Sequence, residues 1–276
     1  MRKTKVLVSV VVFNNLRQLK GLLDDITVAC HDLEDTVIDF HVRFFDNAST
    51  DNSPAFISDA GFGEFLYCSK TNVGFGKGHN WNIFHESSDL AFVVNPDVRF
   101  ESDAVKEAVA LFSRSPKLGL LVPKLVFPDG SPQHLCKRDP RIFDIFLRRF
   151  APVPVQRMFA ARMARFAMED FDYEGEFPIE YGSGAFMMFR TDVYRRIGGF
   201  DPRYFMYIED ADITREVRSA GYEALYSPAV EAVHAWEKGS YHSVRLALIN
   251  VASVLKYSWK WDIERKIWKK GGTVRR

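Results

Sequence analysis

KVLVSVVVF, residues 5–13, is apolar at every position except Lys5 and Ser9. A short run so rich in β-branched side chains predicts a strand buried on both faces of a mostly parallel sheet. Across 15–30 the apolar residues fall at Leu16, Leu19, Leu22, Leu23 and Ile26, the spacing of one helical face. VIDFHVRFFDN (37–47) predicts a second strand, STDNSPAFISDAG (49–61) a capped helix and GEFLYCSK (63–70) a third strand. A Gly-rich loop, TNVGFGKGHN (71–80), leads to a helix expected from about Trp81, and DLAFVVNPD (89–97) reads as a fourth strand. Strand alternating with helix predicts a doubly wound α/β sheet.

In such sheets ligands bind beyond the carboxyl ends of the strands. The residues expected there are Asn14, then Asp46 and Asn47, then Asn72 to Asn80, then Asn95, Pro96 and Asp97. Each alone is an ordinary turn former, because Asn, Asp and Gly dominate turns for conformational reasons. Four such groups at one sheet edge point to a binding rim.

The second half has a different pattern. After a turn at Pro128-Asp129-Gly130 comes a basic amphipathic stretch to about Met168, then YGSGAFMMFR (181–190), in which AFMMF is strand-like. MYIEDADITREV (206–217) sets Glu209, Asp210 and Asp212 at the start of a helix expected from Asp210 to Ala220 and closed by Gly221. Acids are favoured there by the free N–H groups of the first turn, so the cluster is a helix start before it is anything else. EALYSPAVEAVHAW (223–236) predicts a last strand pair carrying His234.

Composition narrows the picture. With 276 residues, 47% of them hydrophobic, the chain supports a substantial core. No apolar run approaches the roughly 20 residues that span a bilayer, and the N-terminal stretch reads as a strand rather than a leader. Cys30, Cys68 and Cys136 have neither metal-ligand nor disulfide-framework spacing, which fits a reducing, cytoplasmic setting. Net charge is +1, but residues 137–165 carry +6 and 243–276 carry +7, leaving −12 on the remainder. RIFDIFLRRF (141–150) and VLKYSWKWDIERKIWKK (254–270) interleave these charges with aromatic and aliphatic side chains. Amphipathic helices on an anionic surface have this pattern, and so do surface helices packed by one apolar face.

A carboxylate at Asp97, ending a buried strand, can share a divalent cation with a diphosphate, since Mg²⁺ and Mn²⁺ take a few carboxylates plus phosphate oxygens. An ion so placed neutralises charge on a departing nucleoside diphosphate. His234 could complete its shell, although a lone histidine is commonly a packing residue. Glu209 and Asp210 suit deprotonation of an acceptor hydroxyl. The loop at 71–80, with Lys77, suits a phosphate-bearing donor but matches neither a Walker loop nor a dinucleotide fingerprint.

Taken in order, VSVVVFNN, DNASTDNS, NVGFGKGHNWNI, VVNPDV, GSGAFMMFR and GGFDPRYFMYIEDADI resemble glycosyltransferase family 2 over about residues 5–240. The resemblance implies a GT-A fold: a single Rossmann-like, mostly parallel sheet flanked by helices, spanning 1–240, with 1–128 as the nucleotide-sugar half and 129–240 as the acceptor half. Residues 241–276 are expected as a basic, aromatic C-terminal helical segment. The NPD and YFMYIEDAD forms are most similar to bacterial rhamnosyltransferases of surface polysaccharide assembly, which implies inverting transfer from dTDP-L-rhamnose. It further implies that Asp210 is the base with Glu209 beside it, and that Asp97 and His234 hold Mg²⁺ or Mn²⁺. The substrate pocket would draw on Phe13, Asn14, Asp46, Asn72, Gly74, Lys77, Asn80, Asn95 and Gly184. Asn95 replaces the first acid of the metal motif. The implied acceptor is a glycan or a polyprenyl-diphosphate-linked sugar at the inner face of the membrane, with no role for nucleic acid. A UDP- or GDP-sugar donor, or a non-catalytic sugar-nucleotide-binding protein, are the alternatives.

Overall fold

The computed structural model describes residues 2–141, 143, 144, 147, 151–235 and 244–264. Parts of both basic segments, including 265–276, lie outside the described residues.

The first strand, β1 (Thr4–Val12), is paired in parallel with β2 (Ile38–Asp46), reached through helix α1 (Leu16–Leu33). A short helix α2 (Ser53–Ile57) leads to β3 (Leu66–Cys68) on the outer edge of β2, and α3 (Phe75–His85) leads to β4 (Leu90–Val94) on the other side of β1. This half is wholly parallel, as the sequence predicts. Val6, Val8, Val10 and Val12 of β1 face α1, while Leu7 faces the layer containing α3, so both faces of the strand are buried.

After β5 (Val98–Arg99) and α4 (Ser102–Arg114) comes β6 (Leu118–Val126), then β7 (Pro132–Gln133), two short helices α5 (Val153–Met158) and α6 (Ala160–Phe166), and β8 (Phe177–Pro178). β9 (Phe186–Arg190) is inserted antiparallel between β4 and β6. Helices α7 (Thr191–Ile197) and α8 (Glu209–Ser219) precede β10 (Glu223–His234), which runs parallel to β6 and antiparallel to β5. The sheet order is β3-β2-β1-β4-β9-β6-β10-β5, so its second half is mixed rather than mostly parallel.

Two expectations are corrected. The Gly-rich segment is not a loop up to Trp81: α3 begins at Phe75, with Gly74 as its N-cap at φ 97°. Glycine disfavours helix, but a Cβ on Gly76 would come within 2.6 Å of Phe200 Cβ and one on Gly78 within 2.7 Å of Val11 Cγ2. Close packing of the helix on the sheet therefore overrides propensity. The strand pair at 223–236 is instead one strand, whose pairing with β6 slips between Ser227 and Glu231 around Pro228.

The C-terminal helix α9 (Val244–Ser258) and the turn Trp259–Glu264 pack on α8. Val254, Tyr257 and Trp261 form a cluster with Tyr181, Tyr204, Ile208 and Ala211. Lys260 is buried there, 2.6 Å from Asp212, 2.9 Å from Glu216 and 3.1 Å from Asp201. Trp261 Nε1 donates to Asp212 at 2.7 Å. One face of this basic, aromatic segment is thus core. The opposite face, with Leu248, Leu255, Trp259 and Ile263, is exposed.

Candidate active site

Four strand ends converge on one edge. Beyond β1, Asn14 has a left-handed backbone (φ 56°), and its Oδ1 accepts from the N–H groups of Thr50 and Asp51 while its own N–H donates to Ser49. Its side chain therefore ties the loop after β2. Asp46, at the end of β2, is buried; Oδ2 accepts from Ser49 N at 3.0 Å, and Oδ1 has no hydrogen-bond partner among the described residues. A buried acceptor left open costs about 1–3 kcal/mol, a debt a bound donor group would remove. Asn47 accepts from Val73 N and donates to the Gly74 carbonyl, holding the loop after β3. Asn72 Oδ1 caps Gly74 N at 3.0 Å. Phe13 is exposed beside Asn14, and Lys77 is exposed on the first turn of α3.

Gly74 meets the other half of the molecule. A Cβ there would lie 2.4 Å from the Phe205 carbonyl oxygen, which accepts from Phe75 N at 3.0 Å. Asn80 is turned away from the rim: Oδ1 accepts from Tyr194 Oη and Phe200 N, and Nδ2 donates to the Phe200 carbonyl. Through these contacts Asn80 pins the loop after α7 to α3, and its side-chain oxygen is committed there rather than to the rim.

At the end of β4, Asn95 N donates to the Ala185 carbonyl at 2.9 Å. Asp97 is partly buried, with Oδ2 3.4 Å from Nε2 of the buried His234 at the end of β10. Gln133 orients the ring: its Nε2 donates to the His234 carbonyl at 2.7 Å, so its Oε1 faces His234 Nδ1 at 2.9 Å. Nδ1 then carries the proton, and the Nε2 lone pair points at a carboxylate. A cation placed between two such acceptors would satisfy both lone pairs. Among the described residues no third His, Cys, Asp or Glu joins the pair.

The pairing of β4 with β9 carries this corner to the acids of α8. Gly184, just before β9, donates its N–H to Asp210 Oδ2 at 3.1 Å, and Asp210 Oδ1 accepts from Ala211 N. Glu209 is buried and its Oε2 has no partner among the described residues. Burial, with the charge of Asp210 added, pushes the Glu209 carboxyl up to about 8. Burial also raises Asp210, opposed by the nearby Lys137 ammonium, the two N–H groups and the Tyr181 hydroxyl. Tyr207 and Ile208, just before the helix, both have left-handed backbones (φ 71° and 68°). Such conformations cost about 1–3 kcal/mol each and persist only where packing enforces them. Here Ser253 of α9 donates to the Met206 carbonyl, and Ile208 is buried against the same segment.

Lys137 and Tyr181 are absent from the residues expected on sequence. They are joined by a bridge in which Lys137 N donates to the Tyr181 carbonyl, with the ammonium 4.7 Å from the ring centroid. The sequence signal was only that Lys137 opens the basic stretch and Tyr181 precedes GSG. Asp212 belongs to the Lys260 and Trp261 contacts, not to the rim.

Residues 67–250 match the family described as "Glycosyltransferase like family 2". The chain is 27% identical over 205 residues to the N-acetylglucosaminyl-diphospho-decaprenol L-rhamnosyltransferase of Mycobacterium tuberculosis, covering 70% of this chain and 66% of that protein. It is 39% identical over 56 residues to rhamnosyltransferase WbbL of Escherichia coli K12, covering 20% of this chain and 21% of that one. The chain thus spans no more than about two thirds of the length of these curated relatives. Among solved structures, the Pyrobaculum calidifontis mannosyltransferase with GDP-Man and Mn²⁺ superposes with TM-score 0.58 at 19% identity, covering 87% of this chain and 59% of that one. GalNAc-T7 with UDP, GalNAc and Mn²⁺ gives 0.64 at 10% identity, covering 96% and 49%. This likeness is one of fold, and it agrees with the expected GT-A architecture.

Proposed function

The chain belongs to glycosyltransferase-like family 2, and from that premise we propose that it is an inverting glycosyltransferase, with dTDP-L-rhamnose as donor and a glycan or polyprenyl-diphosphate-linked sugar as acceptor. The observation that carries the proposal is the meeting of Asp210 with the strand-end rim through Gly184. The rhamnosyl donor is supported by the names of the two curated relatives.

In this account residues 1–128 supply the nucleotide-sugar half and 129–240 the acceptor half. The open Oδ1 of Asp46 accepts from the nucleobase, and Phe13 offers a ring face beside it. Asn14, Asn47, Asn72 and Gly74 shape the loops, while Lys77 and Asn95 lie near the donor's phosphates. Asp210 takes the proton of the acceptor hydroxyl as its oxygen attacks the anomeric carbon and the bond to the diphosphate breaks. A positioned carboxylate base contributes typically ~10²–10⁴-fold. Glu209, held protonated by burial, orients the acceptor by donating a hydrogen bond.

Asp97 and His234 fit Mg²⁺ or Mn²⁺, since their facing lone pairs call for a cation and such ions accept one or two protein ligands beside phosphate oxygens. When bound, the ion supplies charge neutralisation at the departing diphosphate. The exposed apolar face of α9, next to the basic tail, supports peripheral association with the inner face of the membrane, where each basic residue adds about 1 kcal/mol. Among the described residues no helix is long and apolar enough to cross a membrane.

A thermal-shift panel of nucleotide sugars, with and without Mn²⁺, tests the donor assignment, because a ligand that binds the folded chain raises its melting temperature by mass action. Stabilisation by dTDP-rhamnose above UDP- and GDP-sugars is expected. A larger shift with either of the others would overturn it.

A further inference from the structure

A cavity of about 1030 Å³ opens on the far side of the Lys137–Tyr181 bridge from Asp210. Five arginines line it, Arg138, Arg141, Arg162, Arg165 and Arg215, together with four carboxylates. Those carboxylates do not cancel the arginines evenly. Asp144 pairs with Arg162, and Asp139 with Arg218 at 2.9 Å and Arg215 at 3.6 Å. Glu180 accepts from the Asp139 N–H, Asp262 acts on Arg215, and Arg138 pairs with Asp170 outside the cavity, so the five lining arginines outnumber the four carboxylates by one. Among the described residues Arg141 and Arg165 have no carboxylate within ion-pair distance. Both are exposed to the same concavity, and planar guanidinium forks match phosphate oxygens.

The cavity adjoins the reaction centre. Extended segments turn alternate side chains to opposite sides, so Lys137 and Tyr181 face Asp210 while their neighbours Arg138 and Glu180 line the cavity. Apolar side chains flank lining residues: the exposed Phe143 lies under Arg162, with 5.0 Å from guanidinium carbon to ring centroid, and the exposed Ile263 follows Asp262 in sequence. Anion-binding groups inside and apolar groups outside match a diphosphate ester of a hydrophobic alcohol better than a free phosphate.

We propose that this cavity binds the diphosphate of a prenyl-diphosphate-linked acceptor, with Arg141 and Arg165 as the phosphate ligands, the prenyl chain running over Phe143 and Ile263, and the acceptor sugar crossing the edge at Lys137 to reach Asp210. The assignment rests on the glycosyl-transfer reading of the chain, but its test needs no turnover. Farnesyl diphosphate, inorganic diphosphate and farnesol are titrated into the full chain, with binding followed by calorimetry. The wild type is expected to bind farnesyl diphosphate at least about tenfold more tightly than inorganic diphosphate or farnesol. In the Arg141→Gln/Arg165→Gln double variant, with an unchanged melting temperature, affinity for farnesyl diphosphate is expected to fall about tenfold or more. No binding by the wild type, equal binding by the double variant, or inorganic diphosphate binding as tightly as the ester would each overturn the assignment. A failure of the transferase reading is seen separately, as no turnover of any nucleotide sugar.

Discussion

The main-chain N–H of Gly184 donates to Oδ2 of Asp210 at 3.1 Å, joining the segment that enters β9 to the first turn of α8. Through the neighbouring Ala185 carbonyl, which accepts from Asn95 N, the same segment is tied to the end of β4. One stretch of backbone thus sets the spacing between the proposed base and the diphosphate corner.

Lys137 opposes the rise that burial imposes on Asp210. A base with a raised pKa is protonated further up the pH scale, so transfer should fall on the acid side at a pH above the ordinary carboxylate value of about 4. Replacing Lys137 with Gln removes the cation and should move this acid limb to higher pH. A pH profile of kcat/KM for both proteins checks it, and an unmoved limb would count against the contact.

For Glu209 the sign runs the other way in stability. Its carboxyl is raised to about 8 by burial, so between its ordinary value and 8 the folded chain holds a proton that the unfolded chain has released. Stability contributed at low pH is lost as pH rises through that window. Glu209→Gln, which stays neutral, should flatten the fall in denaturation midpoint between about pH 5 and 8.

At the metal corner, His234→Ala should weaken Mn²⁺-dependent binding of the donor diphosphate. Asn95→Asp adds a second carboxylate near Asp97 and should strengthen it. Calorimetric titration of dTDP with and without Mn²⁺ reads both changes. Equal affinities in all three proteins would contradict a metal role for Asp97 and His234.

In the C-terminal segment, Lys260→Met leaves the carboxylate of Asp212 buried without its cation. Loss of one partner of a buried pair costs about 3–5 kcal/mol. By contrast, Trp259, which is 58% exposed, should leave stability within about 0.5 kcal/mol when changed to Ala, as surface substitutions do. That variant should instead sediment less with anionic liposomes at low salt. Urea denaturation and sedimentation separate the two roles.

Outside the Gly-rich segment at 71–80, the order of strands and helices across residues 4–94 was legible because strand and helix differ in period there. Asp97, His234, Gly184 and Asp210 lie 137 positions apart at the extremes, and strand pairing brings the segments of β4, β9 and β10 to one side of the sheet edge. What stayed hidden depends on tertiary contact. Gly76 and Gly78 read as loop because their helix is stabilised by Phe200 and Val11, not by propensity. Asn80 looked like a rim residue, but its amide oxygen is taken by Tyr194 and Phe200, which are remote in sequence. Lys137 and Tyr181 carry no motif; only their bridge turns them toward Asp210. The aromatic C-terminal stretch has two faces, and hydrophobicity alone did not tell which one Lys260 and Trp261 would bury.

The central claim is that Asp210 removes the acceptor proton. Its direct test is Asp210→Asn, which keeps a side-chain acceptor for the N–H of Gly184 but cannot take a proton. Sugar transfer at saturating donor should fall by ~10²–10⁴-fold, with the affinity for dTDP and Mn²⁺ held within a factor of about three. Turnover within a few-fold of wild type would contradict the role of Asp210 as base.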